Sequence, residues 1–193
     1  MMARAGQVLW LALPVILGGA VHVAVIKLDW LGAVARLPLD GGATFRGRRL
    51  LGAHKTVRGA VTMVGATTMF ALAQASLFHR YGWAHAASLV DFDRVHPVLW
   101  GVLLGGGYIV GELPNSFVKR RLRVQPGERA AGALGALFWL ADQVDSLLGV
   151  LACMCLVWVP PAAVAAGLAA VTLVAHPAMA LVMVGLGLKR RVG

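Results

Sequence analysis

Apolar residues in this chain come in long unbroken runs rather than in the alternating or one-faced patterns of water-soluble strands and helices. A helix needs about 20 mostly apolar residues to cross the hydrocarbon core of a bilayer. Five runs approach that length: 7–26, 59–78, 95–113, the long stretch 130–159, and 162–188. Pro160-Pro161 separates the last two. A continuous helix over 130–159 would be about 45 Å long, well beyond a core of about 30 Å. Counting back about 18 residues from the prolines places the span proper at 142–159. Residues 130–140 are then expected to be interfacial or re-entrant. The expectation is a single all-α membrane domain over 1–193, a five-helix transmembrane bundle with polar loops at 27–58 and 114–141.

Composition supports a lipid environment. The chain is 59% hydrophobic and 13% charged, with 24 glycines and a mean hydropathy of +0.77, whereas soluble domains carry roughly twice that share of charge. The net charge of +10 would suggest nucleic acid in a soluble protein. Here fifteen of the eighteen basic residues fall in three places: 27–58, 119–129 and the tail 189–191. Basic residues favour the cytoplasmic side. The pattern predicts an N-terminus outside, a C-terminus inside and two basic cytoplasmic loops in a multi-pass protein of the inner (cytoplasmic) membrane, with no nucleic-acid partner. Residues 7–26 read as a full span rather than a cleaved signal. Cys153 and Cys155, two apart on a helix, point in different directions and read as packing residues. His22 and His176 lie within spans and suit helix–helix hydrogen bonds. His79 and His85 have no metal-ligand spacing.

Candidate chemistry starts with Asp142 and Asp145. Carboxylates inside an apolar helix are costly and mark function. Their i,i+3 spacing puts both on one face, close enough to share a divalent cation. Glu112 closes the third run, on the same expected side, and a third carboxylate there would allow one or two Mg²⁺ ions. Between these carboxylates lie Asn115, Ser116, Lys119, Arg120 and Arg121, whose cations would neutralise metal-held phosphates. The first loop carries Pro38-Leu39-Asp40-Gly41-Gly42 and then the run from Arg46 to Gly59. Its glycines let backbone N–H groups approach an anion, and Lys55-Thr56 at a helix start suits phosphate. The Gly spacing of a P-loop is absent.

Taken in order, PLDGG, GRRLLGAHKTVRG, GELPNSFVKRRL, PG and DQVDSLLG resemble the CDP-archaeol synthase family over about 38–149. The second half is similar to CDP-diacylglycerol synthases, which carry Ser-x-x-Lys-Arg and a later Asp-x-x-Asp. Glu112 stands where the family pattern more often has Asp. The resemblance implies CTP and a lipid glycerol phosphate as substrates, with pyrophosphate expelled. It implies Mg²⁺ on Asp142 and Asp145, with Lys119 catalytic beside them; Glu112, from its position, is the third candidate metal ligand. Asp40, Lys55, Thr56, Arg58, Ser116, Arg120 and Arg121 would bind substrate. Phosphatidic acid as the acceptor is the alternative, and a homodimer is left open. CDP-alcohol phosphotransferases are disfavoured, because Asp40-Gly41-Gly42-Ala43-Thr44 departs early from their pattern and Asp142/Asp145 have the wrong spacing. A small transporter or channel would instead show repeated broken helices and midplane charges.

Overall fold

The computed structural model describes residues 5–126, 128 and 130–188, without the side chain of residue 33. Arg4, Gly127, Arg129 and the basic run at 189–191 lie outside the described residues. In chain order the elements are α1 (Ala5–Lys27), α2 (Gly32–Ala35), β1 (Thr44–Phe45), β2 (Arg48–Arg49), α3 (Val57–Arg80), α4 (Gly82–Ala87), α5 (Pro97–Arg121), α6 (Gly132–Met154) and α7 (Ala162–Gly185). Five of these helices are long. Four of them, α1, α3, α6 and α7, are long and apolar enough to cross a membrane. α5 is the longest, at 25 residues, but its last ten residues carry Glu112, Asn115, Lys119, Arg120 and Arg121, which lowers its mean hydropathy.

Local signals set most helix starts. The Thr56 hydroxyl accepts the Gly59 N–H at 3.3 Å and caps α3. His96 caps α5 through Nδ1 to the Val98 N–H, with Pro97 in the first turn. Pro161 precedes α7.

Two helices depart from the span bounds expected from sequence. α5 does not stop at 113 but continues through Pro114 to Arg121. A proline inside a helix removes one backbone bond, and the contacts that Asn115, Ser116 and Lys119 make outside their own helix offset that loss. α6 begins at Gly132 rather than near Asp142, because Ala- and Leu-rich sequence through 140 favours helix and nothing interrupts it. It ends at Met154, short of 159, in a turn before Pro160. Residues 132–140 are therefore one continuous helix with the aspartates, and Asp142 is the eleventh residue of α6.

The long helices alternate in direction. α1 packs on α3, α3 on α5 and α5 on α6, while α7 touches α6 and α1. The closest seam joins α5 and α6. Gly107 and Gly111, a small-xxx-small pair, face Gly149, and a Cβ on Gly107 would lie 2.6 Å from the Gly149 carbonyl oxygen. A Cβ on Gly111 would collide with the Asp145 carbonyl. The buried core continues through Trp100, Leu104, Val150 and Met154.

The polar segment between α1 and α3 folds onto the end of this bundle. β1 and β2 form an antiparallel hairpin, Thr44 opposite Arg49, turned by Arg46 and Gly47. Both have positive φ, as a two-residue type I′ turn requires. A Pro38–Thr56 bridge closes the segment at its base.

Candidate active site

Helix periodicity gathers the polar residues of α5 into one stripe. Tyr108, Glu112, Asn115 and Lys119 are spaced four, three and four residues apart and stack on one face. Asp142 and Asp145 share a face of α6 in the same way, and the glycine seam presses the two faces together. Asn115 Nδ2 donates to Asp142 Oδ1 at 2.6 Å and to Asp145 Oδ2 at 2.8 Å. Lys119 Nζ donates to both oxygens of Asp142, at 2.5 and 2.6 Å, and sits 5.3 Å from the centre of the Phe138 ring. Asp145 Oδ1 accepts the Ser146 N–H at 2.6 Å.

One amide group thus reaches both carboxylates, so their oxygens converge on a common point. Two carboxylates with an amide group beside them form a hard-oxygen set of the kind Mg²⁺ takes, completed by water and phosphate. Glu112 does not join them. It is ion-paired with Lys55, each side chain 18% exposed, and lies within hydrogen-bonding reach of Tyr108. Among the described residues no three His, Cys, Asp or Glu side chains form a metal cage. The structure therefore gathers Asp142 and Asp145 but leaves Glu112 with a cation of its own.

The remaining expected site residues divide by partner. Asp40 is a staple of the loop. Its carboxylate accepts Arg49 Nη2 at 2.6 Å, the Leu51 N–H at 3.0 Å and the Gly42 N–H at 3.0 Å. Burial pushes its pKa up, but the bonds from Arg49 and the two amides outweigh that and hold it below the ordinary value. Ser116 accepts the Gly52 N–H at 3.2 Å and ties the loop to α5. Arg121 donates to the carbonyls of Phe45, Arg48 and Arg49, and Arg48 donates back to the Arg121 carbonyl at 2.6 Å. Arg121 is thus the anchor of the hairpin. Arg58 pairs with Asp29 at 2.9 Å, and Thr56 is the α3 cap. Among the described residues, none of these five touches the aspartate pair.

Arg120 differs. It is only 8% exposed, yet its Nε and Nη1 have no hydrogen-bond partner among the described residues. It lines a cleft of about 510 Å³ with Arg48, Arg49 and Arg123. A buried guanidinium with idle donors is costly, and a multiply charged anion in this cleft would remove that cost. His54 lies nearby. Partial burial, then the charges of Lys55 and Arg120, hold its imidazole down to about 4. Four residues of this region have roles that the sequence did not assign: Asn115 as the bridge, and Arg48, Arg49 and Arg123 as cleft walls. Asn115 was detectable, since it falls on the Glu112–Lys119 stripe. The cleft was not, because only the hairpin brings Arg48 and Arg49 of β2 beside Arg120 and Arg123 at the end of α5.

The residues 6–192 match the family model described as CarS-like, CDP-archaeol synthase. The CDP-archaeol synthase of Methanopyrus kandleri is 32% identical over 178 residues, covering 89% of this chain and 83% of that protein. The CDP-archaeol synthase of Halobacterium salinarum is 39% identical over 115 residues, 60% of this chain and 57% of that protein. The match to the first relatives therefore spans under two thirds of their length. A solved structure described as an intramembrane enzyme for archaeal membrane lipids biosynthesis is 28% identical, covers 90% of this chain and 92% of that one, and superposes with a TM-score of 0.60.

Proposed function

Because the chain belongs to the CarS-like CDP-archaeol synthase family, we propose that it transfers CMP from CTP to the glycerol phosphate of a membrane lipid, with Mg²⁺. The observation that carries this reading is the juxtaposition at one end of the bundle: a convergent carboxylate pair on α6 and, across the end of α5, a buried arginine with idle donors in a basic cleft. The first suits a cation and the second a polyphosphate.

In this reading Asp142 and Asp145 would hold Mg²⁺, with Asn115 keeping the two carboxylates together through its Nδ2. Bound there, the cation supplies Lewis-acid charge neutralisation to phosphate oxygens. Lys119, displaced from Asp142, turns to the phosphate undergoing substitution. Arg120, with Arg48, Arg49 and Arg123, receives the CTP phosphates and the departing pyrophosphate. The lipid phosphate is its own nucleophile, so the residues position charges in line and neutralise them rather than attack. Lys55, paired with Glu112 in the resting site, would exchange that partner for a phosphate of CTP or of the lipid.

The same reading assigns topology. Fifteen of the eighteen basic residues are in the two loops and the tail, and Lys27 Nζ bonds to the Leu186 carbonyl at 2.9 Å, which brings the ends of α1 and α7 together. That end faces the cytoplasm in our proposal, with α5 as the fifth span and the N-terminus outside.

Purified protein with CTP and Mg²⁺ releases pyrophosphate only when a lipid phosphate is present. The panel should include an archaeal-type ether lipid phosphate and phosphatidic acid. No release with any acceptor removes the cytidylyltransferase reading.

A further inference from the structure

α1 ends in a turn that its residue types do not favour. The Asp29 N–H donates to the Ile26 carbonyl at 3.2 Å and the Trp30 N–H to the Val25 carbonyl at 3.0 Å. This is the bonding of a Schellman cap, which sets its reversing residue in the left-handed region. Asp29 is that residue, with φ 49°, and Leu31 follows with φ 58°. Glycine takes such angles freely, whereas leucine has no local bond to offset the strain. In caps of this kind the residue at the place of Trp30 commonly packs back onto its helix. Here Trp30 is 62% exposed, and Leu28, Leu31 and Leu37 are exposed with it. Two strained reversals thus turn four apolar side chains outward.

The position of this corner in the bundle says what it faces. α1, α3 and α7 are each long and apolar enough to cross a membrane. Lys27 Nζ ties the end of α1 to the Leu186 carbonyl just past the end of α7. Arg58, in the first turn of α3, donates to Asp29 Oδ1 at 2.9 Å and to the Trp30 carbonyl at 3.3 Å. Three span ends therefore meet at residues 27–31, at the level where the spans leave the hydrocarbon. Tryptophan is at home there among the headgroups, and leucine just beneath them. In water the same side chains would form an uncovered apolar patch. The charges beside it are Lys27, Arg36, Arg58 and Asp29. Arg58 answers Asp29, so Lys27 and Arg36 leave the corner net positive. Basic residues next to interfacial apolar ones suit an anionic lipid surface.

We infer that residues 28–37 are a membrane-surface anchor for an anionic bilayer, with Trp30 and the leucines seated at the boundary of headgroup and acyl chain and Lys27 and Arg36 among the headgroups. The inference rests on the membrane-spanning fold and stands apart from the cytidylyltransferase reading. The anchor precedes the polar loop that starts at Pro38, and so holds that loop against the lipid surface.

The experiment uses the full chain in vesicles of phosphatidylcholine alone or of equal parts phosphatidylcholine and phosphatidylglycerol. Trp30 emission, taken as the difference between wild type and Trp30→Phe, should be quenched more by lipid brominated near the headgroup than by lipid brominated at the chain end. Trypsin cleavage after Arg36 reports the lifted corner and should be about fivefold slower on the anionic vesicles, the worth of one basic residue at such a surface. The double variant Trp30→Ser with Leu31→Gly keeps the turn, because glycine accepts the left-handed angle. It should lose the protection from trypsin while its thermal unfolding in detergent stays that of the wild type. Trp30 emission that lipid does not quench, or that chain-end bromine quenches most, overturns the inference. So does equal cleavage on both vesicles, or a Trp30 shielded from lipid and aqueous quenchers alike and cross-linked to a second copy.

Discussion

Arg121 looks in sequence like a phosphate ligand, but its guanidinium is engaged by three backbone carbonyls of the hairpin, so its substitution should act through position. In Arg121→Lys an ammonium replaces a planar fork and keeps about one of the three bonds. Net contributions of hydrogen bonds from charged donors start near 1.5 kcal/mol. Two lost bonds weaken hairpin docking by about 3 kcal/mol, and the undocked population rises about 100-fold at 1.4 kcal/mol per factor of ten. Trypsin reports that population directly, because the hairpin contains Arg46, Arg48 and Arg49 and cleavage follows the open fraction when opening is fast. The expected result is a cut near 46–49 that appears about 100 times faster in Arg121→Lys, together with a raised KM for CTP. A phosphate-binding Arg121 would give the raised KM alone. Unchanged trypsin resistance with a large KM effect would refute the anchoring argument.

Other substitutions separate the remaining roles. Asp145→Asn should lower kcat/KM about 100- to 1,000-fold, the scale of losing a key charge-stabilising group, while thermal unfolding in detergent shows the protein still folded; retained turnover would deny Asp145 its role. Glu112→Gln leaves Lys55 half-buried and unpaired and should destabilise the protein by about 3 kcal/mol, whereas Lys55→Met with Glu112→Gln should recover most of that stability without recovering activity. Gly149→Leu drives a side chain into Gly107 and Gly111 and should abolish both folding yield and the Asn115 contacts, read by expression and detergent stability. For pH, His54 at about 4 lies below its ordinary 6.5, so the unfolded chain takes up a proton that the folded loop refuses. Its contribution to loop stability is whole above about 6.5 and declines as pH falls toward 4. Asp40, depressed below 3.8, holds the loop until pH falls below that value. An NMR titration of His54 with a midpoint near 6.5 would contradict this.

The apolar runs made the five long helices legible because bilayer-length segments need no tertiary information. Their ends were less legible. α5 passes through Pro114, and α6 starts ten residues before Asp142, because contacts between helices decide whether a proline or an Ala-rich lead-in stays helical. The hairpin was invisible, since two-residue strands carry no period. In the site, the i,i+3 spacing of Asp142 and Asp145 exposed the carboxylate pair, and Lys119 lies one turn from Asn115 on the facing helix. For Asp40, Arg58, Arg121 and Glu112 the sequence shows the charge but not the partner: the geometry pairs them with Arg49, Asp29, the hairpin carbonyls and Lys55.

In the proposed function the α6 carboxylate pair, together with the basic cleft around Arg120, moves a cytidylyl group onto a lipid phosphate. Incubating the protein with CTP labelled at the α-phosphorus, Mg²⁺ and a lipid phosphate, then extracting the lipids, tests it in one step. Label should appear in a lipid-soluble CDP product with the wild type and not with Asp142→Asn. Label that stays in the aqueous phase with every acceptor, or transfer that survives Asp142→Asn, would contradict it.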